Sequence, residues 1–375
     1  MITLNQEDKI WARGLYEKCA AKLSAECDRL GEAIPYIAEN GVYEDYFADR
    51  PDWWTNGFWP GMMWLMYHAT GDEKYRKTAE AAEKKLSTNL KEFRGNDHDY
   101  GFRYHLSCVA DYRLTGNEES KKLGLFAAQL LAGRFNPDGS FIRAWDQPER
   151  VTWMIIDCLM NLPLLYWASK ETGDSRFASI AQRHGKTSLE ALLREDGSSS
   201  HVAIFSPETW RAVEFPAGQG YEAGSSWSRG QAWAVYGFAL SYRYTGCREF
   251  LDGAKRAAHY FLANVCTTGF LPRQDFRAPR EPAMYDTTAG AIAACGLLLI
   301  GESVEPAESA MYIEGAIQLL KAAEKEACDF DSDRDSILQM GTVMYTKQIH
   351  VPIIYGDFFL LEAVLKLTGK GFDIW

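Results

Sequence analysis

The sequence predicts an all-α protein, an (α/α)6 barrel of six helical hairpins, on three observations. A short turn mark recurs along the chain, the helices on its two sides differ in character, and the number of marks closes a ring.

The mark is a threonine and a glycine followed by a short polar residue. Thr70-Gly71-Asp72, Thr115-Gly116-Asn117, Thr172-Gly173-Asp174 and Thr245-Gly246-Cys247 carry it, and Gly301-Glu302 and Thr368-Gly369-Lys370 hold similar places. Glycine just past a helical stretch supplies the left-handed residue that closes the last turn. The polar residue beside it can start the next helix. The glycines lie 45 to 73 residues apart. Before each mark the chain is apolar nearly all round, as over 154–167 and 232–242. After it comes an amphipathic helix, as over 73–90 and 249–262. A helix apolar on every side is enclosed, and one with a charged face lies outside. An outer helix over 6–30 and an inner one over 356–367 bring the count to twelve. Neither end has a polar capping repeat, so the first helix should pair with the last hairpin. Residues 1–375 read as a single domain with no linker.

Composition narrows the function. Apolar residues make up 47% and charged residues 24%, so the chain can bury a large core and shows no low-complexity segment. A formal net charge of -11 without a basic stripe argues against nucleic acid. It leaves room for an anionic small substrate in a locally basic pocket. No apolar run reaches membrane-spanning length, and 289–300 stops short of it. The first nine residues have no basic region followed by an apolar one. The 8 cysteines are scattered, mostly in apolar stretches, which reads as free thiols in a reducing compartment. A cytoplasmic monomer or small homo-oligomer is therefore expected, with neither membrane nor nucleic acid as partner. No His/Cys/Glu spacing signals a metal, and no Gly-rich loop or nucleophile elbow is present, so no cofactor is expected.

The inner helices of such a ring run the same way, and their N-terminal ends open on one face. The segments entering them, 53–59, 97–102, 145–153, 227–233, 285–288 and 355–357, collect Trp, Asp, Arg, Gln and Tyr. Flat aromatics beside hydrogen-bonding groups suit a sugar. Asp157 stands out, because nothing near it in Met154-Ile155-Ile156-Asp157-Cys158-Leu159-Met160 neutralises it. It is either a buried carboxyl bonded to a helix end or an acid whose pKa is raised by apolar surroundings. Pro163 loosens the helix one turn later, because it cannot donate to the carbonyl of Leu159. Asp99, just ahead of an apolar helix, is an N-cap or the second member of a carboxylate pair. His98 beside it is a structural bonder or part of the site. Asp286 and Asp357 read as N-caps or inter-helix bonds. His201 lies in a long connection. Arg229 and Gln231 either bind a substrate carboxylate or bond only to the scaffold, and the tryptophans could be core.

Taken together, several stretches resemble the unsaturated glucuronyl hydrolases, glycoside hydrolase family 88. They are Trp54-Thr55-Asn56-Gly57-Phe58-Trp59, His98-Asp99-Tyr100-Gly101-Phe102, Ile155-Ile156-Asp157-Cys158-Leu159 with Asn161-Leu162-Pro163, Ser226-Trp227-Ser228-Arg229-Gly230-Gln231-Ala232-Trp233, and Gly356-Asp357. The family fold is an (α/α)6 barrel, in agreement with the repeat count. The resemblance implies as substrate a lyase-generated di- or oligosaccharide with a 4,5-unsaturated uronic acid at its non-reducing end. It implies that Asp157 protonates C4 and deprotonates the water added at C5, while Asp99 holds ring hydroxyls and influences the charge of Asp157. It further implies that His201 and Gln219 bond substrate or water, and that Trp54, Trp145, Trp227 and Trp233 wall the pocket. His98 and Arg229 fall in the matched motifs and join the substrate-binding set. The chain departs from members that accept sulfated glycosaminoglycan fragments and carry a Ser- and Lys-containing cluster before the last inner helix, since 341–348 does not align to it, and this counts against a preference for sulfated units through that cluster. The nearest rival is an unsaturated rhamnogalacturonyl hydrolase of family 105. A non-catalytic glycan-binding ring and an (α/α)6 epimerase stand further off; an epimerase would need opposed bases, often histidines, at the inner-helix starts.

Overall fold

At five marks the glycine takes the left-handed conformation that ends a helix, with φ of 71° at Gly71, 76° at Gly116, 72° at Gly173, 66° at Gly246 and 68° at Gly369. The threonine before it ties the turn on both sides. Thr70 Oγ1 donates to the Met66 carbonyl at 2.6 Å and accepts the Asp72 amide at 3.2 Å. Asp72, Asn117 and Asp174 then cap the following helices through the amides of Lys74, Glu119 and Arg176. Gly301 differs. It lies inside a helix, and a Cβ there would stand 2.9 Å from Ile313 Cγ1 on the next helix. That hairpin is where the sequence places it, but its glycine serves close packing and Pro306 starts the outer helix.

The computed structural model describes residues 2–95 and 97–375. Outer and inner helices alternate: α1 (Gln6–Leu30), α2 (Phe58–Thr70), α3 (Glu73–Lys91), α4 (π-helical Gly101–Val109 continuing into Ala110–Thr115), α5 (Glu118–Ala132) and α6 (Leu162–Thr172). They continue with α7 (Ser175–Ala191), α8 (Ser228–Thr245), α9 (Arg248–Val265), α10 (Thr287–Ser303), α11 (Pro306–Ala327) and α12 (Ile354–Leu367). Each even-numbered helix packs on the next, and α12 packs on α2, which closes the inner ring. Inner α10 is buried continuously from Thr287 to Gly301, whereas outer α3 presents a stripe of Tyr75, Ala79, Ala82, Leu86 and Leu90 to the core. The fold is the expected (α/α)6 barrel. No helix among the described residues is long and apolar enough to cross a membrane.

The ring axis is filled with aromatic side chains. Phe58, Phe102, Phe358 and Phe359 meet there, and the end of the chain enters from the side opposite the inner-helix N-termini. The Trp375 ring lies parallel to Phe359 at 6.0 Å, and its indole N–H donates to Glu362 at 3.1 Å.

One expected element is wrong. The stretch 154–167 is not a continuous inner helix. After a short hairpin of β1 (Phe135–Asn136) and β2 (Phe141–Ile142), it begins as strand β3 (Trp153–Ile155), passes through a 3-10 turn at Ile156–Asn161 and becomes helical only at Leu162, with Pro163 in the first turn. Pro163 therefore begins the helix and does not loosen it. Strand β3 pairs with β4 (Val202–Phe205), which pairs with β5 (Ala212–Glu214), forming a small antiparallel sheet at the mouth of the ring. Its side chains are apolar on both faces of β3, and that run cannot be told from a buried helix by periodicity.

Candidate active site

The small sheet assembles the site. Ile155 pairs with Val202, and the Ile156 amide donates to the His201 carbonyl at 3.0 Å, so Asp157 and His201 emerge beside one another. On the other edge of β3 the Ala144 amide donates to the Trp153 carbonyl at 2.9 Å. The Ala144 carbonyl accepts both the backbone amide and ring Nδ1 of His98, the latter at 2.9 Å. Three distant segments thus deliver Asp157, His201 and the His98–Asp99 pair to one cavity of about 700 Å³.

Hydrogen bonds fix both imidazole tautomers. His201 Nδ1 accepts the Gln219 amide at 2.9 Å, so its ring proton sits on Nε2, 3.4 Å from Asp157 Oδ1. Gly218 makes this approach possible. Its φ is +59°, and a Cβ there would fall 1.9 Å from His201 Nδ1. His98 is the reverse case. A carbonyl can only accept, so Nδ1 carries the proton and Nε2 faces Asp99 Oδ1 at 3.1 Å. The two groups are placed to share one proton, although Nε2 makes no hydrogen bond among the described residues in this geometry.

The two aspartates are only 14% and 12% exposed at the side chain, Asp157 and Asp99 respectively, yet they differ in charge. Burial pushes the Asp99 carboxyl up to about 7, helped by the negative charges of Asp97 and Asp157 and opposed by His98 and Arg103. Burial pushes Asp157 up as well, but His201, then His98 and Arg229, outweigh it and hold Asp157 below the usual carboxylate range. The expected raised pKa of Asp157 is therefore overturned. Its sequence neighbours are apolar, but in space it stands by the Nε2–H edge of His201, with the Arg229 guanidinium further off. Asp157 Oδ1 is buried and accepts no hydrogen bond from the protein among the described residues, an arrangement that leaves its basicity available.

Asp99 does not cap a helix. Its carboxylate receives Asn161 Nδ2 at 3.4 Å, and Asn161 Oδ1 receives the Phe102 amide at 2.8 Å. Asn161, one turn beyond Asp157, thereby ties the two acidic segments together. It lies in a matched stretch, but nothing in the sequence alone gives it this role. The π-helical winding of α4 directly after Asp99 was equally invisible, and such segments occur frequently at functional sites.

Trp54, His98, Trp145, His201, Gln219 and Arg229 line the cavity with the two aspartates. Trp227 and Trp233 do not. Trp227 is 2% exposed and lies behind His201 and Arg229, with ring centroids 4.4 Å from the imidazole. Trp233 is fully buried between Phe102 and Phe359. Both sit where the inner helix α8 turns its apolar side to the ring, so they back the wall instead of forming it. Arg229 is largely held by the scaffold: Nη1 donates to Asp286 and to the Thr342 carbonyl, and Nη2 to the Val343 carbonyl at 2.6 Å. Gln219 spends its side-chain N–H on the same Val343 carbonyl. Asp286 and Asp357 take inter-element roles; Asp357 accepts the amides of Ile337 and Leu338 and the hydroxyl of Tyr43.

Similarity to known proteins decides the class. The profile of Glycosyl Hydrolase Family 88 matches residues 28–269. The chain belongs to this family. A family 88 relative, the unsaturated glucuronyl hydrolase of Bacillus sp. (strain GL1), is 38% identical over 361 residues, spanning 92% of this chain and 94% of its own. The crystal structure of the enzyme from Bacillus sp. GL1 superposes with a TM-score of 0.87 at 36% identity, covering 95% of this chain and 96% of that one. The unsaturated chondroitin disaccharide hydrolase of Streptococcus pyogenes serotype M1 is 32% identical, over 86% of this chain and 83% of its own. As a family 88 member the protein is a glycosidase, and the matched region contains Asp99, Asp157, His201, Gln219 and Arg229.

A larger hollow of about 950 Å³ lies at the other end of the ring, around Glu302, Lys366 and Asp373. Several of its charges are paired, with Lys366 on Glu302 at 2.7 Å and Arg243 on Asp373 at 2.8 Å. Among the described residues it holds no buried carboxylate pair of the kind found at the mouth.

Proposed function

We propose that the protein removes the 4,5-unsaturated uronic acid from the non-reducing end of lyase-generated oligosaccharides, by hydrating the C4=C5 vinyl ether with Asp157 as acid and base. The names of the relatives, unsaturated glucuronyl hydrolase and unsaturated chondroitin disaccharide hydrolase, support the substrate class. One observation carries the chemistry. A buried carboxylate oxygen that accepts no formed hydrogen bond among the described residues lies at a sugar-sized cavity, and a second carboxyl, raised to about 7, lines the same cavity.

The proton balance follows from these two groups. In the empty site Asp157 is ionised, and the resident proton lies within the Asp99–His98 pair. A bound uronate brings its own carboxylate beside Asp157 and excludes water, and both effects raise the pKa of Asp157. Asp157 then takes up a proton, for which the Asp99–His98 pair is the supply. It delivers that proton to C4, and the positive charge develops at C5 and the ring oxygen. Water adds at C5 and returns its proton to Asp157. The hemiketal opens, giving a ketone at C5, and the hemiacetal formed at C1 releases the next sugar. Asp157 thus regains the proton it gave to C4, and on product release it ionises again as the proton returns to the Asp99–His98 pair. We further take residues 1–375 as one catalytic domain acting in the cytoplasm, a placement supported by the eight free cysteines among the described residues.

The test is the ultraviolet absorbance of the unsaturated uronate. Wild-type protein should bleach it with an unsaturated uronyl–hexosamine disaccharide. Asp157→Asn should fold normally and be slower by roughly 10²- to 10⁴-fold. A wild-type rate in that variant removes Asp157 from the acid role, and turnover of rhamnogalacturonan disaccharides alone would contradict the substrate class.

A further inference from the structure

The cavity contains a cation that the hydration reaction does not use. Its acids all have basic partners among the described residues: Asp52 with Arg50, Asp97 with Arg103, Asp99 with His98, Asp157 with His201, and Asp146 with Arg134 and Arg143. Of the three arginines that line it, Arg229 is bound to Asp286 and Arg50 lies 3.2 Å from Asp52. Arg150 has no carboxylate partner and no side-chain hydrogen bond among the described residues.

It is nevertheless held in place. The guanidinium carbon lies 5.2 Å from the ring centroids of both Trp145 and Trp153, whose planes meet at 71° and form a corner around it. Indole faces attract the cation without neutralising it, and they leave the in-plane N–H donors unspent. The position is informative. The Trp145 ring is 6.3 Å from His98, which touches Asp99, so Arg150 stands one indole further out than the carboxylate pair. It is half-buried, on a 3-10 turn (Pro148–Arg150) at the cavity mouth.

We infer that Arg150 is a specificity-determining residue that binds a sulfate oxyanion on the sugar following the scissile bond. The inference rests on the hydrolase reading, which puts the unsaturated unit against Asp157 and Asp99 and the next sugar toward the mouth. A planar guanidinium with free donors matches an oxyanion in two-point contact. Substrates bearing a charge there gain affinity through Arg150, and uncharged ones do not.

The experiment compares kcat/KM for two unsaturated uronyl–hexosamine disaccharides that differ only in a sulfate on the hexosamine. It uses wild type, Arg150→Gln and Arg150→Lys. Arg150→Gln should lose roughly 10- to 100-fold on the sulfated disaccharide, the range for a lost charge-assisted hydrogen bond, and change little on the unsulfated one. Arg150→Lys, which keeps the charge, should fall between. Equal losses on both substrates overturn the inference, because Arg150 would then serve the uronate carboxylate or the Trp corner. No loss on either, or a wild type that rejects the sulfated disaccharide while cleaving the other, overturns it too. A wild type inactive on both counts against the hydrolase reading itself.

Discussion

Asp157 and Asp99 are set apart by surroundings that sequence does not display. Around Asp157 the neighbouring residues in the chain are apolar, and the raised pKa expected from them is reversed by His201, which lies 44 positions away and arrives by strand pairing. Asp99 holds the raised value instead, at about 7. Identity of the two acids was legible, because an aspartate in Ile-Ile-Asp-Cys-Leu is conspicuous; their protonation was not, because it is a property of space. For Asp99→Asn the account expects a large loss of kcat/KM with a retained fold, since its carboxylate caps no helix; an unfolded variant in circular dichroism would contradict this. Gly218→Ala addresses the histidine. Forcing a side chain into that left-handed turn costs about 1–2 kcal/mol and collides with His201 Nδ1. Activity should fall much further than thermal stability, and a variant with unchanged kcat/KM would show that the Gln219–His201 bond is dispensable.

At the scale of elements, helices were readable and the sheet was not. Thr-Gly marks carry their own turn chemistry, with the threonine bonding both sides of the glycine, so the hairpins appear locally. The strand at Trp153–Ile155 has no such local signal. It is short, apolar and continuous with a real helix, and only its pairing with Val202–Phe205 makes it a strand. The family resemblance likewise expects Trp227 and Trp233 in the pocket wall, where they are absent from the cavity lining. The wall on that side is built from the sheet and from the loop at 341–348, which places Val343 and Met344 in the cavity. The end of the chain gives a test of the ring's packing. Trp375 is 1% exposed and stacks on Phe359 from inside the ring. Trp375→Ala should cost about 3–5 kcal/mol, read as a lowered denaturation midpoint, while the mouth retains its geometry and turnover below that midpoint. A stability loss under about 1 kcal/mol would contradict a load on this plug.

The whole molecule carries a set of buried carboxyls that favour their protonated forms. Burial raises Glu83 to about 8, Asp99 to about 7, and Asp357 and Glu362 to about 6. Each binds its proton more tightly folded than unfolded, so its stabilising contribution is complete below the unfolded carboxyl pKa and is lost as pH rises through the folded value. The midpoint of thermal unfolding should therefore fall between about pH 7 and pH 9, where Glu83 and Asp99 ionise. A midpoint that rises across that interval would contradict the assignment. The most direct test of the central claim, that catalysis draws on one proton held beside an ionised Asp157, is the pH dependence of kcat/KM, which reports groups of the free enzyme. The account predicts a rate that falls as pH rises through about 7, with that limb displaced in Asp99→Asn. A profile flat between about pH 5 and 9, or an unchanged limb in the variant, would contradict it.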